Sequence, residues 1–181
     1  MFTFDSRKPL VLGLGCDAVA DDGFGPAVAA ALKADPLIRV RADVACLTWS
    51  GHPLLELLQD RPRVLILDVV RTGEVAPGTL RTFAADLAVR TYNTLGRGSV
   101  CITHALNLGR HLGYVMPRRV EVMACEAQDL ETAAAGLTCP VAEAVPRAVR
   151  LVRNWLEPPE KPSRPLRERK GAGAGAWHAG R

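Results

Sequence analysis

Residues 9–32 read PLVLGLGCDAVADDGFGPAVAAAL. The apolar run that starts at Leu10 closes on Gly13-Leu14-Gly15, which reads as a buried strand of a parallel sheet ending at glycines. Ala18 then completes the spelling of the dinucleotide fingerprint G-x-G-x-x-G/A. A phosphate cradle needs its helix to begin directly after the glycines, so that the helix N–H groups and dipole meet the pyrophosphate. Here eight residues separate Gly15 from the expected helix start at Phe24, and two of them are the adjacent carboxylates Asp21 and Asp22. The acidic ribose partner expected further on at a strand end is also missing, because the next strand closes on Cys46-Leu47-Thr48. The stretch therefore reads as strand, acidic loop, helix. Two carboxylates would repel a phosphate and suit a cation.

Outward from this unit the pattern repeats. GFGPAVAAALKAD reads as a helix with Pro26 near its first turn. IRVRADVACL alternates and predicts a strand, GHPLLELLQD a short amphipathic helix, and RVLILDVV a second buried strand. After the turn APG, GTLRTFA predicts an edge strand, and a polar loop runs over about Asp86 to Ser99. THALNLGRHLGY predicts a helix capped by Thr103, RRVEVMACE a strand, and CPVAEAVPRAVRLVRNWLE a long helix bent or restarted at Pro146. Strands alternating with helices imply an α/β fold: one domain of three α/β/α layers, with a mostly parallel, twisted sheet of about five strands. The domain is expected over residues 1–156. Residues 157–181 form a basic tail rich in Pro, Gly and charge that cannot support a core and is expected to be disordered.

Composition narrows the class. Of 181 residues, 48% are hydrophobic and 23% charged, an ordinary soluble balance. No apolar run approaches the roughly 18–20 residues of a membrane helix, and MFTFDSRKPL has no signal-peptide pattern, so no membrane role and a cytoplasmic location are expected. The net charge is +4, but six basic and three acidic residues between Glu157 and Arg181 account for most of it, leaving about +1 for the folded body. That is no footprint for nucleic acid. Cys16, Cys46, Cys101, Cys125 and Cys139 are odd in number and never spaced C-x-x-C, which points to reduced, mostly buried thiols.

In a parallel sheet, ligands collect outside the carboxyl ends of the strands. Three candidates come from such places: Asp22 after the first strand, Asp68 at the end of VLILD, and His104 at the opening of the helix after the polar loop. Two carboxylates and one imidazole from separate segments make a metal site with open positions. The same residues also read as a turn cap and a solvated histidine. A metal-escorting or metal-sensing module without proteolytic activity fits the same ligands, and nucleotide binding through Gly13 and Gly15 is a third, weaker reading.

The order of these motifs resembles the hydrogenase maturation endopeptidases. That family opens on an apolar strand, G-x-G, then D-[DE]-G-x-G and a helix, as in VLGLGCDAVADDGFGP. Its second motif is a strand ending in Asp with P-G-[TE] about ten residues on, as in VLILDVVRTGEVAPGTLRTF; its third is a Ser/Thr-His pair leading a helix, here Thr103-His104. The resemblance spans about Leu10 to Leu156 and makes residues 1–156 a peptidase domain. It implies removal of a C-terminal extension from the precursor of a [NiFe] hydrogenase large subunit after nickel insertion. The resemblance makes Asp22, Asp68 and His104 the metal contacts; the same three are the candidate catalytic residues, and the chemistry of a carboxylate makes Asp22 or Asp68 the candidate general base. No permanent cofactor is implied: the nickel is recognised in the substrate. A monomer is the expected state.

The chain departs from the family at Cys16, where Asn is usual, at Asp22, where Glu is common, and at TWSGHPL, which keeps only Gly51 of a glycine-rich segment. Trp49 reads first as a partly buried residue and His52 as a solvated one, and both are candidates for precursor contact. Glu126, at the end of VEVMACE, reads first as a loop cap, Asp21 as a cap or an orienter of Asp22, and Cys101 as a nucleophile only if His104 reaches it.

Overall fold

The computed structural model describes residues 5–48, 52–85 and 102–157. The polar loop, Cys101, Trp49 and the tail beyond Glu157 lie outside these residues, as does the side chain of His52.

Five strands form one sheet: β1 (Leu10–Leu14), β2 (Asp43–Leu47), β3 (Arg63–Val70), β4 (Leu80–Ala84) and β5 (Arg119–Glu126). Their order is β2-β1-β3-β5-β4, parallel throughout except that β4 pairs antiparallel with β5 at the edge. The helices are α1 (Phe24–Lys33), α2 (Pro36–Arg41), α3 (His52–Leu58), α4 (Ile102–His111) and α5 (Cys139–Leu156), with a 3₁₀ turn over Ala20–Gly23.

The continuous apolar strands bury both faces. Leu10, Leu12, Val64, Ile66, Val120 and Val122 point into one core with Leu54, Leu58, Ile102 and Leu106 of α3 and α4. The intervening Val11, Leu65, Leu67 and Met123 point into a second core with Phe24, Val28 and Leu32 of α1 and with α5. In α5 the buried positions Val141, Ala144, Ala148 and Val152 recur at helical spacing and form a single stripe. The expected three-layer α/β architecture is thus the observed one.

Four local expectations need correction. The alternating stretch from Ile38 is helix α2 up to Arg41, and the strand begins only at Asp43. Asp35 accepts from the Leu37 amide at 2.9 Å and Pro36 takes the first helical position, a start signal that outweighs a short alternation. Strand β3 runs over the expected Arg63–Val70, so Asp68 does not close the strand but lies within the pleat opposite Ala124. Thr103 sits inside α4, one residue after its start, rather than ahead of it as a cap. Helix α5 runs unbroken through Pro146 instead of restarting there.

Close packing explains the glycines of the opening stretch. A Cβ on Gly13 would lie 2.5 Å from the Gly25 carbonyl oxygen, so that position lets α1 lie against β1. Gly15 has φ +128°, and a Cβ there would meet the Asp22 carbonyl oxygen at 2.0 Å. Its amide bonds the Leu47 carbonyl at 3.2 Å, and the next amide, of Cys16, bonds the Asp22 carboxylate at 2.8 Å. The N–H groups a phosphate would need are already engaged.

Candidate active site

Asp22 lies in the 3₁₀ turn that follows β1, half-buried, with its Oδ2 accepting from Cys16 N. Burial raises its pKa above the ordinary carboxylate value, and the Cys16 hydrogen bond opposes this only in part. Asp68 sits between Ile66 and Val70, whose side chains both belong to the core under α3 and α4, so strand alternation puts Asp68 on that face. Its Oδ1 accepts from the Val69 amide at 2.8 Å. Burial pushes the Asp68 carboxyl up to about 7, against that hydrogen bond, and the negative charge of Asp22 adds to the rise. The two acids, 46 positions apart in sequence, thus share one electrostatic environment at the C-terminal rim of the sheet.

The backbone at this rim is held in an unusual conformation. Ala20, buried and next to the acidic pair, has φ +24°, in a region that ordinary side chains rarely adopt. Asp21, fully buried beside Asp22, does different work. Its carboxylate accepts from Gln128 N, Asp129 N and Thr138 N, each at 2.8 Å, and from the Thr138 hydroxyl. It therefore ties the loop after β5 and the start of α5 to the 3₁₀ turn. Glu126 likewise accepts from the Thr72 and Gly73 amides at 2.7 Å and from the Thr72 hydroxyl at 2.8 Å, closing the loop after β3. Both are caps rather than chemical groups.

Helix α4 enters from the same rim. Asp60, just ahead of β3, donates to the Val115 carbonyl beyond the C-terminal end of α4, so α4 begins at the opposite, C-terminal end of the parallel strands. His104 is in its first turn and exposed. The buried positions of α4 are Ile102, Ala105, Leu106 and Gly109; at 100° per residue His104 lies about 150° from the centre of that face. The structure thus sets Asp22 close enough for its charge to act on Asp68, and places His104 at the same end of the sheet but facing away from the core. Among the described residues no three His, Cys, Asp or Glu side chains stand close enough to hold a metal ion. The cysteines Cys16, Cys46, Cys125 and Cys139 are all free, and burial pushes the Cys125 thiol up to about 12, which leaves it inert.

An α/β sheet with two carboxyls of raised pKa near the C-terminal rim of its parallel strands carries a candidate site for acid–base chemistry where such folds bind their ligands. The model of the hydrogenase maturation protease family, HycI, matches residues 49–155, more than half of the chain. The chain belongs to that family. Asp68 and His104 fall within the matched stretch, and Asp22 precedes it. The chain is 27% identical over 153 residues to the hydrogenase expression/formation protein HupD of Rhizobium leguminosarum bv. viciae, covering 81% of this chain and 74% of that one. It is 28% identical over 152 residues to the coenzyme F420 hydrogenase subunit delta of Methanothermobacter thermautotrophicus, covering 79% and 90%. Its fold matches the hydrogenase maturating endopeptidase HybD from Escherichia coli with a TM-score of 0.71 at 21% identity, covering 83% and 92% of the two chains. Its activity is that of a hydrogenase maturation endopeptidase, a hydrolase of peptide bonds. No helix among the described residues is long and apolar enough to cross a membrane.

Proposed function

We propose that this endopeptidase removes the C-terminal extension of a [NiFe] hydrogenase large-subunit precursor, and that it recognises the nickel already inserted there through Asp22, Asp68 and His104. The observation that carries this reading is the acid pair. Two carboxylates near enough for the charge of one to act on the other, each with one hydrogen bond among the described residues, keep oxygen lone pairs for a cation brought by the substrate. Nickel bound in the precursor is then part of the substrate, and the enzyme needs no resident metal. His104 completes the set when the first turn of α4 yields to the bound precursor and lets the ring turn inward.

The acids also suit proton transfer. A carboxyl near 7 is divided between its two forms at neutral pH, the condition under which a general base both accepts and returns a proton. Asp68 in its ionised form takes the proton from the attacking water, and Asp22 stays as the fixed negative partner of the cation. The cytoplasm, where such a precursor is made, and a monomeric state belong to the same proposal.

The deciding experiment incubates the full chain with nickel-loaded and nickel-free precursor and follows loss of the extension by mass. Cleavage of the loaded form alone is the expected result. Equal cleavage of both would remove the nickel-sensing part, and no cleavage of either the precursor reading. His104→Ala and Asp22→Asn are expected to abolish processing with an unchanged circular dichroism spectrum, since neither side chain is fully buried.

A further inference from the structure

Away from the acid pair, edge strand β4 and helix α5 enclose a groove of about 590 Å³ lined by Thr79, Leu80, Arg147, Arg150, Leu151, Arg153 and Asn154. The size is that of a ligand site. Three arginines and no carboxylate contribute to the lining. Arg147 is fixed by donating to the Gly78 carbonyl at 2.8 Å, and Arg153 by its 2.8 Å pair with Asp35. The Gly78 carbonyl carries no charge, and among the described residues neither Arg147 nor Arg150 has an ion pair. Leu80 and Leu151 supply apolar surface between these charges, Leu151 being 43% exposed. An occupant with carboxylates spaced along an extended chain fits this lining, because guanidinium groups take carboxylates in paired hydrogen bonds.

Two candidate occupants differ in charge. The chain's own residues beyond Glu157 carry six basic and two acidic groups, so a positive groove repels them. A partner segment of opposite charge remains. The groove's position relates it to the acid pair. Asp68 aligns with Ala124, which aligns with Arg81 on β4, so the row of the acid reaches the edge strand after two strand spacings, about 10 Å; Asp68 faces the α3 and α4 layer and the groove lies on the α5 side, so a bound chain passes round the β4 edge between them. From there the groove descends along α5 from Arg147 to Asn154, about 10 Å of helix.

We propose that the β4–α5 groove docks an acidic segment of the protein substrate, apart from the bond that is cut. The identity of the occupant as substrate rests on the endopeptidase reading above, whereas the groove's choice of carboxylates rests on its own arginines. Docking here raises the local concentration of the precursor without touching the reacting atoms, so it acts on binding rather than on the chemical step.

The test uses the full chain and a fluorescein-labelled peptide, Glu-Leu-Glu-Glu-Leu-Glu, followed by anisotropy at low salt. Arg150→Glu is expected to weaken binding at least tenfold. Arg39→Glu, the same charge change on exposed α2, is expected to leave the affinity within twofold, and the Gln-Leu-Gln-Gln-Leu-Gln peptide to bind at least tenfold more weakly than the acidic one. Equal weakening by the two substitutions, or unchanged affinity in Arg150→Glu, overturns the proposal, because the peptide then reads bulk charge or the basic tail. In a processing assay Arg150→Glu is expected to raise KM and leave kcat unchanged. Absence of processing in the wild-type chain condemns the endopeptidase reading, while the anisotropy result still judges the groove.

Discussion

Two pairs of acids stand at the same end of the sheet and have opposite surroundings. Asp21 and Glu126 are 0% and 4% exposed, and each carboxylate receives at least three hydrogen bonds from backbone amides and a hydroxyl. Asp22 and Asp68 are less deeply buried, each receives one amide among the described residues, and both have raised pKa values. The first pair is buried and satisfied, which makes it structural. The second is partly desolvated and under-bonded, which leaves it chemically available. Asp21 and Asp22 are neighbours in the chain, so the difference lies in what each turn of backbone faces and not in residue type.

This contrast can be broken from the structural side first. Asp21→Ala strips the acceptor from three part-buried amides and a hydroxyl, and is expected to destabilise the chain by about 2–4 kcal/mol, read from urea unfolding. A loss below about 1 kcal/mol would mean that solvent takes over its partners.

From the chemical side the sign reverses. The folded-state pKa of Asp68 is near 7, above the value of 3.8 for an unperturbed Asp. Between these values the native state holds a proton that the unfolded state has released, so this group lowers stability as pH rises from about 4 to 7, with the penalty fully present above 7. Asp68→Asn removes the penalty. It is expected to raise stability by roughly 1–4 kcal/mol at pH 8, with almost no gain at pH 4, and to abolish processing. Parallel stability curves for the two proteins across this range would show that Asp68 is not perturbed by its surroundings.

A smaller effect sharpens the same comparison. Glu126→Gln keeps the shape and one carbonyl acceptor for the Thr72 and Gly73 amides, but turns charge-assisted bonds into neutral ones. A loss of about 1 kcal/mol is expected by thermal unfolding, with processing intact. A large fall in processing without loss of stability would move Glu126 into the functional pair.

Much of this was legible in the residues. The apolar runs at Leu10, Arg63 and Arg119 marked the strands correctly because strands buried on both faces need no alternation. The helix start at Phe24 was visible from the spacing of glycines and Pro26. The stretch around Ile38 reads as strand in the sequence and is helix in the structure, because six residues of alternation are compatible with one short helix, whose start depends on the Asp35 side chain closing on the Leu37 amide. Glu126 and Asp21 were legible as caps, though the partners of Asp21, 107 to 117 residues away, were not.

The sequence alone determined which chemistry the chain carries: an α/β sheet, two acids near the ends of its first and third strands, and a histidine opening a helix. Hydrophobic period and turn chemistry are local properties, so a linear reading captures them. Only the tertiary structure decided which acids are spent on holding loops and which are left to act, and that His104 faces away from the core at the rim it shares with them. Desolvation and hydrogen-bond supply are set by distant segments folding against each residue, and no local pattern encodes them.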